Sequence, residues 1–163
     1  KQGPAWGEET DDMTPTQDEL EVRKLVDGLV AGWNAHDGTA FARQFAADAD
    51  FTNVMGLHAR GRDVIARGHD EIFATMFRGT TLTATVEGIR FLRPDVATAS
   101  VSLALRQKDG TPWGPFPRTL AGLVAVRDGE SWSIAVFRNM VPFQRPAAGP
   151  LERSLGAAPP SGS

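Results

Sequence analysis

Neither cysteine nor tyrosine occurs among the 163 residues of the chain. Disulfides, Cys-ligated zinc or iron–sulfur clusters, a thiolate nucleophile and a phenolic acid are therefore excluded, and any chemistry falls to other side chains. Lysine is scarce as well: 14 of the 17 basic residues are arginine, the side chain able to sit half-buried and fork onto a carboxylate. No apolar run approaches the about 20 residues that cross a bilayer, and no charged-then-apolar signal opens the sequence. The expectation is a cytoplasmic protein with no membrane partner. A concentrated basic stripe is missing too, so nucleic acid is not an expected partner.

What is present is one domain's worth of chain, with 41% hydrophobic residues, enough for a single core. The net charge of −3 is unevenly placed. Up to Glu21 there are seven acids against Lys1 alone, whereas the remainder is mildly basic. Residues 1–17 read as an extended acidic leader with Trp6 as its one docking point. Residues 143–163 read as a Pro/Ala/Gly/Ser-rich tail that can hold neither helix nor central strand. The domain proper is expected over 18–142.

Within it, Leu20, Leu25, Val26, Leu29, Val30 and Trp33 follow the helical period and predict a first helix stopping at Asn34. Asp37 can cap a short second helix carrying Phe41 and Phe45. A short strand is expected over 50–54. Val64, Ile65, His69, Ile72, Phe73 and Met76 then form one apolar stripe, predicting a third helix after Gly61 that ends at Arg78-Gly79. From Thr81 the pattern changes to four strands, 81–89, 96–106, 118–127 and 131–141, separated by turn residues such as Asp128-Gly129. Helices followed by antiparallel strands indicate an α+β fold with the helices gathered on one face of a curved sheet.

The order of elements and the local wording carry a resemblance. Gly32-Trp33-Asn34-Ala35-His36-Asp37, the run from Phe45 to Gly56, Arg60-Gly61-Arg62, His69, Phe77-Arg78-Gly79, the run from Phe91 to Ala97 and Phe137-Arg138-Asn139 together resemble the nuclear transport factor 2-like superfamily. That superfamily includes ketosteroid isomerase and the SnoaL-like cyclases, and the wording is closest to its SgcJ/EcaC branch. The resemblance implies a cystatin-like cone with a central ligand cavity, a homodimer through the outer face of the sheet, and a place in enediyne polyketide biosynthesis. It also implies a hydrophobic substrate or intermediate. Where relatives usually end in Phe-His-Asn this chain has Arg138, so an imidazole role there is not carried over. Ketosteroid isomerase works with an Asp base and with Tyr and protonated Asp as oxyanion donors. That set is not transferable to a chain without tyrosine.

The candidate catalytic residues are His69, Asn53 and Arg138. His69 points inward from an apolar stripe, where a buried imidazole needs a partner. It reads either as a core histidine bonded to a backbone carbonyl or as a ligand-facing donor or general base. Asn53 offers both a donor and an acceptor to a carbonyl ligand, and Arg138 requires an anion such as Glu87 or a ligand carboxylate. Trp33, Phe73, Met76 and Phe77, with Arg118 and Asn139, are candidate ligand-binding residues. His36 and Asp37 have structural explanations in a loop and a helix cap. His58 falls in an expected loop. No metal spacing, no Gly-x-Ser-x-Gly elbow and no Gly-x-Gly-x-x-Gly loop is found, so neither metal nor cofactor is expected.

Overall fold

The computed structural model describes residues 14–142. Residues 1–13 and 143–163, which hold Trp6, most of the expected leader and all of the tail, lie outside the described residues. Three helices come first among the elements: α1 (Gln17–Asn34), α2 (Gly38–Ala42) and α3 (Arg62–Ala74). The strands are β1 (Phe45–Thr52), β2 (His58–Arg60), β3 (Thr81–Arg93), β4 (Val96–Arg106), β5 (Arg118–Asp128) and β6 (Ser131–Met140). They form one sheet in the order β2-β1-β6-β5-β4-β3, and α1 packs on β3 and β6 while α3 packs on β1.

Helix α1 starts where the sequence places it because Thr16 and Glu19 form a reciprocal capping box, with Thr16 Oγ1 accepting from Glu19 N–H at 3.2 Å and Glu19 accepting from Thr16 N–H at 2.8 Å. Its inward face, Val22, Leu25, Val26, Leu29 and Trp33, is buried. Asp37 caps α2, its Oδ1 accepting from Ala40 N–H at 2.8 Å. The two helices meet at close range: a β-carbon on Gly32 would fall on the backbone of Phe41, so only glycine allows this approach.

The junction between α1 and α2 ties the helical layer to the sheet. Asn34 exchanges two hydrogen bonds with the backbone of Leu82, donating to its carbonyl at 3.0 Å and accepting from its N–H at 2.7 Å. His36, at φ 52°, places Nε2 3.0 Å from the Thr80 carbonyl, so that nitrogen carries the proton. Both residues anchor the start of β3. Asn34→Ala removes both bonds and is expected to reduce the unfolding free energy by about 2 kcal/mol. Urea unfolding of the variant checks this, and an unchanged midpoint would contradict it.

Several features differ from the sequence expectation. Phe45 opens β1 rather than riding on α2, which ends at Ala42, because it pairs with Ile134 of β6; β1 spans Phe45–Thr52 rather than 50–54; and β2 is an added strand at residues expected in a loop. The sheet is mixed, because β1 runs parallel to β6 and antiparallel to β2; β1 follows a helix rather than a hairpin, so no turn forces it to run opposite to its neighbour. Helix α3 ends at Ala74 rather than at Arg78. Thr75 leaves the helical region there, and the freed carbonyls are taken by side chains, Glu71 O by the Thr75 hydroxyl at 2.7 Å and Ala74 O by Arg78 at 2.7 Å. No helix among the described residues is long and apolar enough to cross a membrane.

Candidate functional site

Between α1, α3 and the concave face of the sheet lies a pocket of about 430 Å³. Its walls are mostly apolar. The aromatic part is assembled from the ends of the elements: Phe51 of β1 stacks on Phe137 of β6 at 5.2 Å, and Phe41 of α2 stacks on His69 of α3 at 4.0 Å. Trp33 closes the side toward α1, with Phe77 5.3 Å away, and the loop after β4 brings Trp113 to within 4.7 Å of Phe77. Met55, Leu57, Val64 and Met76 stand exposed around the opening.

His69 sits inside this aromatic setting with 6% of its surface exposed. Its Nδ1 is 2.8 Å from the Ile65 carbonyl, one turn back along α3. A carbonyl only accepts, so Nδ1 carries the hydrogen and Nε2 keeps a bare lone pair. Burial pushes the imidazole down to about 4, against weaker opposing effects of the Ile65 carbonyl and the Asp70 charge. The ring is neutral at pH 7. As a base it is weak there; as a hydrogen-bond acceptor it is fully available.

Of the nine residues expected at the site, Trp33, Asn53, His69, Met76, Phe77 and Asn139 line the pocket. The polar ones are less free than expected. Asn53 Oδ1 accepts from the N–H groups of both Met55 and Leu57, each at 2.9 Å; its oxygen shapes the turn between β1 and β2, leaving the amide NH₂ for other use. The Trp33 indole donates to the Thr80 hydroxyl at 3.1 Å, which in turn donates to the Phe77 carbonyl at 2.7 Å.

Phe73, Arg118 and Arg138 lie off the pocket wall. Phe73 is buried behind it, 5.0 Å from Trp33 and 5.6 Å from His36. Arg118 points outward because its strand neighbour Thr119 takes the inward position. Arg138 is exposed because β6 carries a bulge: the pairing steps from Val124↔Val136 to Ala125↔Ile134, leaving Ala135 extra. One added residue exchanges the two faces, so Phe137 and Asn139 face in while Arg138 faces out and reaches the Phe137 carbonyl at 3.2 Å. Glu87, offered as an arginine partner, accepts instead from Ser102 at 2.6 Å.

Sequence reasoning missed Thr119 and His58. Thr119 is buried, with 8% exposed, and lines the pocket; the alternation Thr119, Ala121, Leu123, Ala125 carried that signal. His58, expected in a loop, lies on the three-residue strand β2 at the pocket edge, with Nε2 3.1 Å from Asp50 Oδ1. A strand this short leaves no periodic pattern. No group of three or more His, Asp or Glu side chains among the described residues is gathered to hold a metal ion.

No protein-family model matches the chain, and no curated protein matches it. Solved structures do. A domain with a cystatin-like fold from Nostoc punctiforme is 29% identical, with 88% of this chain and 85% of that one covered and a TM-score of 0.75. A nuclear transport factor 2-like protein with a cystatin-like fold from Novosphingobium aromaticivorans is 20% identical over 85% of this chain and 88% of its own, with a TM-score of 0.68. A ketosteroid isomerase-like protein from Erwinia carotovora atroseptica is 12% identical over 80% of this chain and all of its own (100%), with a TM-score of 0.64. The chain has the cystatin-like, nuclear transport factor 2-like fold, an α+β architecture with helices packed on a curved, mixed six-stranded sheet.

Proposed function

We propose that this protein binds a hydrophobic small molecule in the pocket between its helices and its sheet. The observation that carries the reading is a pocket of about 430 Å³ with apolar walls and one buried, neutral imidazole, His69, the usual make-up of a small-molecule site. The sequence resemblance narrows the ligand to a polyketide or polyene intermediate of the enediyne type. Isomerisation, cyclisation or hydration of that ligand without a cofactor would draw on His69, with the Asn53 amide as electrostatic partner.

A second reading, a carrier that sequesters the intermediate or docks on a synthase without chemistry, is favoured by one observation. With Arg138 outside and the Asn53 oxygen committed to its turn, the expected catalytic trio reduces to a weakly basic imidazole and one amide. The fluorescent polyene 1,6-diphenylhexatriene tests the shared part of both. Saturable binding at one molecule per chain, with micromolar Kd and quenching of tryptophan emission, is the expected result; fluorescence that rises linearly without saturation would overturn the pocket reading. Incubation with a polyketide synthase product then separates the two, since only the enzyme converts it.

A further inference from the structure

Two buried side chains that line the pocket each keep a polar atom with no hydrogen-bond partner among the described residues. His69 lines the pocket, and its Nδ1 donates to the Ile65 carbonyl along its own helix, which leaves the opposite ring nitrogen, Nε2, as the free acceptor of the ring. No described residue donates to it. Thr119, on β5 across the pocket, is more than nine-tenths buried, and its hydroxyl makes no hydrogen bond with any described residue. Buried polar groups are normally bonded. An apolar ligand filling the pocket would strip water from both without replacing it.

The unmet needs are specific. Nε2 offers only a lone pair, so it asks for an O–H or N–H from the ligand; the Thr119 hydroxyl can donate to a ligand oxygen. Charge around the pocket points the same way. Among the described residues, His58, His69 and Glu71 are its titratable side chains, and neither lysine nor arginine lines it. A carboxylate would leave water with no lysine or arginine among the described residues to meet it and with a lone pair opposing it at His69.

We infer that the ligand is a neutral hydroxylated molecule, a phenol, enol or alcohol on an apolar frame, whose O–H donates to His69 Nε2 and whose oxygen is met by the Thr119 hydroxyl. The inference rests on the pocket reading above and narrows its ligand class. It gives His69 a role in recognition that does not require it to take up a proton.

Three probes of nearly one shape test it: 2-methylnaphthalene, 2-naphthol and 2-naphthoate, titrated by calorimetry at pH 7. The naphthol is expected to bind about tenfold more tightly than the hydrocarbon, and the naphthoate more weakly than the naphthol. His69→Phe is expected to bring naphthol and hydrocarbon to within about twofold of each other. Thr119→Val supplies an independent variant that keeps size and strand preference, and it is expected to reduce the naphthol preference about threefold. Equal binding of naphthol and hydrocarbon to the unmodified protein, or tightest binding of the naphthoate, overturns the inference and leaves the hydrophobic pocket intact. Binding of none of the three overturns the pocket reading and the inference with it.

Discussion

Phe45→Ala is expected to reduce the free energy of unfolding by about 3–5 kcal/mol, the largest effect of any single side chain around the site. Phe45 is fully buried. Its ring stands 5.8 Å from Phe41, 5.9 Å from Phe51 and 6.1 Å from Phe137, and three of the pocket's wall residues therefore rest on it. Its carbonyl accepts from Arg62 Nε at 2.7 Å, fixing the start of α3 to β1. Truncation leaves a void that three rigid rings cannot collapse into without separating Phe51 from its stack on Phe137. Urea unfolding should show a lower midpoint at unchanged slope. A loss under about 1 kcal/mol would mean the aromatic cluster repacks freely, against its close-packed geometry. Diphenylhexatriene affinity should fall in the same variant even where it remains folded, because the void lies directly under the pocket wall.

Acid is expected to destabilise the protein through His69. In the folded chain the imidazole titrates at about 4, against 6.5 for an unburied histidine. Between those values the unfolded chain holds one proton more than the folded one, so stability rises with pH across that window and is lost as pH falls from 6.5 toward 4. Above 6.5 the contribution is fully present. The full span corresponds to about 3 kcal/mol. Unfolding free energies measured at steps from pH 7.5 to pH 4 should fall more steeply for the unmodified protein than for His69→Phe. Parallel curves for the two would show that His69 is not held neutral. A bound hydroxylated ligand donating to Nε2 should steepen the loss further, because protonation of the ring removes the acceptor that the ligand uses.

Much of the fold could be read directly from residue order. The period of α1, the cap at Asp37 and the alternation along β4 each reflect a local rule and hold in the structure, although α2 stops at Ala42 and leaves Phe45 to β1. The inward direction of His69 was equally visible, since it sits on an apolar stripe. What escaped was set by pairing between distant segments. Arg138 shares its parity with Trp132 and Ile134 in the sequence, and only the unpaired Ala135 in the partnership with β5 turns it out. Strand β2 exists because β1 is beside it, with Thr52 opposite His58; three residues carry no signal of their own. The fate of the Asn53 oxygen depended on how the chain turns over the next four residues, a geometry that a lone Asn does not announce.

The parallel pairing of β1 with β6 also sets a schedule. Phe51 finds its register partner in Phe137, so a strand made early in synthesis has no neighbour on that side until almost the whole domain has left the ribosome. Until then the helices can form and the hairpins of β3 to β5 can close, each from contacts near in sequence. The seam between β1 and β6 joins segments far apart in the sequence, and such non-local pairings are the slow ones. During that interval an aromatic strand edge waits open. The stacked rings that later wall the pocket are, for a newly made chain, the surface most in need of protection from other chains.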